Sequence, residues 1–92
     1  MIRSFQDRET EWLFHGHVIR KWRAFARQAE KRLRILDAAD TLQALAMLLS
    51  NRLERLFGNR KGQHSIRIND QWCVCFRWRK DGAYEVEITD YH

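Results

Sequence analysis

The stretch HSIRINDQWCVCFRWRKDGAYEVEIT, residues 64–89, alternates large apolar side chains with polar ones along three successive runs. His64, Ile66 and Ile68 form the first apolar set, Trp72, Val74, Phe76 and Trp78 the second, and Tyr84, Val86 and Ile88 the third. A period of two marks half-buried strands, because successive side chains leave opposite faces of a sheet. Asn69-Asp70 and Lys80-Asp81-Gly82 supply turn chemistry between the runs, so the segment reads as a three-stranded antiparallel meander. Residues directly opposed across a strand pair share a face. Keeping Ile68 with Trp72 and Trp78 with Tyr84 therefore demands odd loops, Asn69-Asp70-Gln71 and Arg79 through Ala83. In that register Val74 opposes Ile88, Cys73 opposes Thr89 and Trp72 opposes Asp90. The face away from the core then gathers Arg67, Cys73, Cys75, Arg77, Glu85, Glu87, Thr89 and Tyr91. Such a face is either an ordinary solvated surface with cross-strand charge pairs or the floor of a site.

Upstream of about residue 58 the period changes. Trp22, Phe25, Ala26, Ala29, Leu33 and Leu36 draw one stripe on a helix expected over residues 18–38, whose other face carries Arg20, Arg23, Arg27, Lys31 and Arg34. Asp7 is a natural N-cap for a shorter helix that runs to His15 and stops at Gly16, and Thr41 caps a third through Leu45. Ile2-Arg-Ser-Phe5 has the alternation of an edge strand. The expected fold is α+β: an antiparallel-rich sheet with an N-terminal edge strand and two to three helices on one face, in a single domain over residues 1–92.

A 92-residue chain has room for one core, which four Trp, five Phe and two Tyr can fill. No window approaches the roughly 18 apolar residues of a membrane span, and the N-terminus lacks a signal-peptide stretch, so a cytoplasmic protein without a membrane partner is expected. Lys plus Arg number 17 against 12 Asp plus Glu, a net charge of +5, which suggests an anionic partner. Cys73 and Cys75 are the two cysteines, too close in sequence for a disulfide framework. On an extended strand their Cα atoms lie about 6.5 to 7 Å apart, at the limit for a bridge. Free thiols are the expectation, and a zinc site lacks paired ligand spacing.

The chain has no P-loop, dinucleotide fingerprint, nucleophile elbow or metal-spaced carboxylates, so no cofactor is expected. Polar chemistry concentrates in two places. The first is the loop Gly58-Asn-Arg-Lys-Gly-Gln-His-Ser65, where Arg60 and Lys61 stand between glycines and suit a phosphate. The second is the terminal Asp90-Tyr91-His92. Metal-free RNA cleavage needs a base for the 2′-OH, an acid for the 5′-oxygen and fixed cations for the developing phosphorane. His92 or Tyr91 suits the proton transfers, and Arg60, Arg67 and Arg77 suit the cations.

These tracts resemble the HigB toxins of type II toxin-antitoxin systems, within the RelE/ParE superfamily. The resemblance rests on MIRSF at 1–5, LDAA at 36–39, NRLE at 51–54, GNRKGQHSIRINDQW at 58–72 and EITDYH at 87–92, and it runs through the whole chain. It implies a ribosome-dependent endonuclease that cuts translated mRNA without a metal, and a helix-turn-helix HigA antitoxin through which alone the toxin reaches DNA. It also implies that Asp90, Tyr91 and His92 form the catalytic triplet and that Arg60 and Arg67 belong to the basic surface. Two departures stand out. Glu54 and Phe57 occupy positions where some members carry histidine and lysine, and Cys73 occupies one where many carry arginine. Loss of that arginine implies an attenuated nuclease or a binding module that acts by occupancy. The DYH terminus argues against the gyrase-poisoning branch.

Overall fold

The computed structural model describes residues 1–90. Four strands form one sheet in the order β1-β2-β3-β4: β1 (Glu54–Arg55), β2 (His64–Arg67), β3 (Cys73–Arg79) and β4 (Gly82–Thr89), all pairs antiparallel. Three helices, α1 (Arg8–Phe14), α2 (Ala26–Ala38) and α3 (Leu42–Met47), complete an α+β domain of the expected kind.

Local chemistry sets the helix starts. Asp7 accepts a hydrogen bond from the Thr10 amide at 3.2 Å, and Thr41 accepts one from Ala44 at 3.0 Å, each satisfying an amide the helix leaves open. Gly16, with φ +91°, lets the chain leave α1. The helix expected over 18–38 is instead two pieces: Arg20–Phe25 is a 3₁₀ turn, and α2 begins only after Phe25, whose φ of −128° leaves the helical range. The kink lets Trp22 and Phe25 both reach Trp72, with ring centroids at 6.5 and 5.1 Å. Ala29, Leu33 and Leu36 on α2 then close over Ile66, Val74, Phe76, Val86 and Ile88 of the sheet.

The first hairpin has the expected register, Ile66 opposite Val74 and Arg67 opposite Cys73, with Asn69-Asp70-Gln71 as its loop. Asn69 shapes that loop: its Oδ1 accepts from the Gln71 and Trp72 amides at 2.8 and 2.7 Å. In the second hairpin Cys73 faces Thr89 and Val74 faces Ile88 as expected, but the register shifts between Cys75 and Arg77, so that Trp78 faces Ala83 rather than Tyr84. The loop shortens to Lys80-Asp81. Ala83, fully buried, takes the core position, and Tyr84 moves to the other face beside Arg79, 4.8 Å from its ring. Glu85 absorbs the slip with φ +53°.

The N-terminal segment stabilises this bulge. Ile2 and Phe5 pair in parallel with Ala83 and Val86 along the outer edge of β4, as two isolated bridges, and the Ser4 hydroxyl accepts the Glu85 amide at 2.9 Å. The expected edge segment is therefore present but interrupted where the bulge sits. Farther along the same edge, the buried Thr10 hydroxyl accepts the Ile88 amide at 3.1 Å and donates to Asp7 at 2.6 Å. One side chain thus joins the α1 cap to β4.

The helices cover one face of the sheet. On the other, β1 places Leu56 against Cys73 and Cys75, forming a second small buried cluster. β1 itself has no counterpart among the expected strands, because two residues are too short to show a period.

Candidate functional site

The helix-free face divides into two ends. At the start of β3 lies a cleft of about 250 Å³ lined by Arg52, Glu54, Ser65, Arg67, Asn69, Trp72 and Cys73. The Asn69 turn that closes the hairpin also orients Arg67, whose Nε donates to the Asn69 carbonyl at 3.1 Å and whose Nη2 pairs with Asp70 at 2.8 Å. Asp90 follows β4 to the same end, where its Oδ2 accepts from Gln71 at 2.9 Å. The hairpin loop is thus the common support of Arg67 and Asp90. Tyr91 and His92, the other two members of the expected triplet, lie outside the described residues.

The opposite end holds Arg77, which pairs with Glu85 at 2.9 Å and donates to the Lys61 carbonyl at 3.4 Å. Four residues at about 3.3 Å per residue put it roughly 13 Å along β3 from Cys73. Arg60 lies between, bound to Glu87 at 2.7 Å and Gln63 at 3.0 Å, and its hydrogen bond to Glu87 pushes its already high pKa up further. The Gly58–Ser65 loop begins with a 3₁₀ turn, Gly58–Arg60, and is closed by the Leu56 amide on the Gln63 carbonyl at 2.9 Å, with Lys61 exposed at its tip. Gly62 has φ +91°, which favours glycine, and a Cβ there would meet Arg77 Nη1 at 2.6 Å and displace that guanidinium. Of the four expected cations, only Arg67 lines the cleft, and Arg60, Lys61 and Arg77 extend away from it.

Cys73 and Cys75 share the expected face but are not solvated: they are 4% and 0% exposed, with Sγ atoms 3.7 Å apart. Cys73 also reaches the Thr89 carbonyl at 3.5 Å. The hydrogen bond with Cys75, and then burial, push the Cys73 thiol well above the ordinary range, so it enters the cleft neutral. Phe57, beyond β1, is 76% exposed.

Arg52 was not among the expected site residues. Its tract, NRLE, was quoted only for its resemblance, and nothing in the pattern announces a left-handed backbone at φ 45°, ψ 54°. Ser65 and Trp72 were read as strand residues, and only the packing of β1 against β2 turns them into cleft walls.

Residues 3–92 match the HigB-like toxin family, described as the RelE-like toxin of type II toxin-antitoxin system HigB. Toxin HigB-1 of Vibrio cholerae serotype O1 (strain ATCC 39315 / El Tor Inaba N16961) is 46% identical over 62 residues, which are 67% of this chain and 64% of that protein's length. The aligned stretch thus spans somewhat under two thirds of the relative. With a four-stranded antiparallel sheet, helices on one face and a cationic cleft on the other, the chain belongs to the HigB-like toxins, the RelE-like toxins of type II toxin-antitoxin systems.

Proposed function

We propose that this toxin is a ribosome-dependent endoribonuclease that cuts translated mRNA in the cytoplasm without a metal, and that a HigA-type helix-turn-helix antitoxin neutralises it. The observation that carries the reading is the cleft itself: Arg67, fixed by Asn69 and Asp70, lines it, and Asp90 is held on the same hairpin loop. In-line cleavage removes the 2′-OH proton, forms the bond from that oxygen to phosphorus and expels the 5′-oxygen, which takes up a proton. His92 and Tyr91 serve these transfers and Asp90 positions them. Arg67 stabilises the charge that grows on the phosphorane. Arg60, Lys61 and Arg77, running away from the cleft, bind flanking phosphates. Contact with operator DNA passes through the antitoxin.

The enzyme is attenuated in this reading, because Cys73 and Phe57 stand where basic residues serve relatives. A neutral buried thiol supplies no charge, and Arg77 is too far away and already paired with Glu85. The same facts favour a second reading, in which the toxin inhibits by occupying the ribosome: Arg60, Arg67 and Arg77 each carry a carboxylate partner. Primer extension on a translated mRNA after induction separates the two. New breaks within codons that vanish in His92→Ala support the nuclease, and growth arrest with intact message supports occupancy.

A further inference from the structure

We infer that Arg52 is the fixed cation that meets an RNA phosphodiester in the cleft, on the side where Cys73 offers no charge; this rests on the proposed nuclease reading. Three observations converge on it. Arg52 lines the same cleft as Arg67, Ser65 and Cys73. Its guanidinium has no ion pair among the described residues, whereas Arg60, Arg67 and Arg77 are each bound to a carboxylate. Third, the backbone is held where arginine is disfavoured.

At φ 45° and ψ 54° an L-residue is strained, and glycine would make the same turn at lower cost. The turn is rigidly supported. Asn51, fully buried, donates from Nδ2 to the Leu45 carbonyl at 3.0 Å and accepts from Arg32 at 2.7 Å, and the Arg52 amide closes onto Leu49 at 3.1 Å. A strained residue persists where surrounding structure over-determines it, and such residues gather at ligand sites. Here the strain leads a free guanidinium to the cleft that also contains Arg67. The Arg52 fork, with the N–H groups of Arg67 that Asn69 and Asp70 leave open, meets the non-bridging oxygens of one phosphodiester, the planar recognition to which arginine is suited.

Glu54 shares the cleft, one residue beyond Leu53 on the edge strand and opposite Ser65. No ion pair joins it to Arg52 within 4.0 Å among the described residues, so it limits anion affinity by repulsion without quenching the guanidinium. That arrangement favours a singly charged phosphodiester over a terminal phosphate dianion.

Arg52→Gly removes the charge and relieves the backbone, so a loss of function in it is not a loss of folding. The binding arm titrates the isolated toxin with a 2′-O-methyl RNA trinucleotide, which cannot be cleaved, and with inorganic phosphate. Arg52→Gly is expected to weaken trinucleotide binding about tenfold and to lower the salt slope by about one. Arg52→Lys keeps the charge but loses the fork and recovers only part of the affinity, Glu54→Gln tightens it, and phosphate binds more weakly than the trinucleotide. The kinetic arm measures cleavage on programmed ribosomes. Arg52→Gly cuts about 100-fold more slowly, and adding Cys73→Arg to it restores at least tenfold. Unchanged trinucleotide affinity in Arg52→Gly overturns the inference, as does a kinetic loss that Cys73→Arg leaves untouched. Should the wild-type toxin leave translated mRNA intact, the nuclease reading falls, and the binding arm alone still decides whether Arg52 holds a phosphodiester.

Discussion

Replacing Cys73 with arginine gives the sharpest reading of how this cleft works. The thiol is 4% exposed and lines a cleft of about 250 Å³, so a longer side chain has an exit toward the space where Arg67 already stands. Its neighbours are Leu56 and Cys75, and pushing past them costs about 1 to 3 kcal/mol of folding stability, the usual range for an overpacked site. Against that, one fixed donor or cation at a developing phosphorane is worth about 2.7 to 4 kcal/mol of barrier, or 100-fold to 1000-fold in rate. Because Arg52 lies in the same cleft, the new arginine adds to an existing charge, and the gain belongs at the lower end. The assay is single-turnover cleavage of mRNA on programmed ribosomes, with growth arrest on induction as the cellular readout. Cys73→Arg is expected to cleave at least tenfold faster while unfolding at a lower denaturant concentration. A folded variant that cleaves no faster than the parent refutes the attenuation argument and with it the role assigned to position 73.

The remaining predictions concern the scaffold and its pH response. Thr10→Val removes the hydroxyl that accepts the Ile88 amide at 3.1 Å, leaving a buried donor unsatisfied, and should cost about 1 to 3 kcal/mol by denaturant titration; Thr10→Ser should recover most of it. Gly62→Ala puts a Cβ at φ +91° against Arg77 Nη1, so about 1 to 2 kcal/mol of stability and the Arg77 contact to the Lys61 carbonyl should be lost together. The second effect is visible as a shifted Arg77 side-chain resonance. Burial, then the charge of Arg55, lowers the pKa of His64, whose Nδ1 is buried without a hydrogen-bond partner among the described residues. The unfolded chain then binds the proton more readily than the folded one, so stability rises with pH through the range between the lowered value and 6.5 and falls on acidification below neutrality. His64→Phe should flatten the stability profile between pH 7 and 5; an unchanged slope would assign the effect to another group.

How much of this was legible beforehand depends on how local each cause is. The Asn69-Asp70-Gln71 loop and the register of β2 on β3 follow from one strip of sequence, because a one-residue slip would put one strand's apolar set, Ile66 and Ile68 or Val74 and Phe76, in water. The Asp7 and Thr41 caps were legible for the same reason: a side-chain oxygen and an amide two or three residues on meet without help from the rest of the chain. The second hairpin was read correctly only at its Thr89 end. Its slip at Glu85 depends on Ser4, 81 residues away, which satisfies the amide that the bulge strands. No alternation pattern contains that partner. The kink before α2 likewise depends on Trp72, on which Trp22 and Phe25 both pack.

The candidate site divides along the same line. Sequence nominated the residues proposed to carry its chemistry: Arg60, Lys61, Arg67 and Arg77 as cations and, through the family resemblance, the Asp90-Tyr91-His92 terminus and the departure at Cys73. Tertiary structure decided which of the described ones meet. It put Arg67 on the wall of the cleft, hydrogen-bonded Asp90 to the hairpin loop that orients Arg67, set Arg77 about 13 Å along the strand, and tied Arg60 to Glu87. It also buried both thiols under Leu56 and brought in Arg52 from a strained turn. The physical reason is separation along the chain. Residue type and period are written in sequence, but the cleft exists only because a two-residue strand closes beside a hairpin, and only closure in three dimensions brings Arg52, Arg67 and Cys73 into one lining.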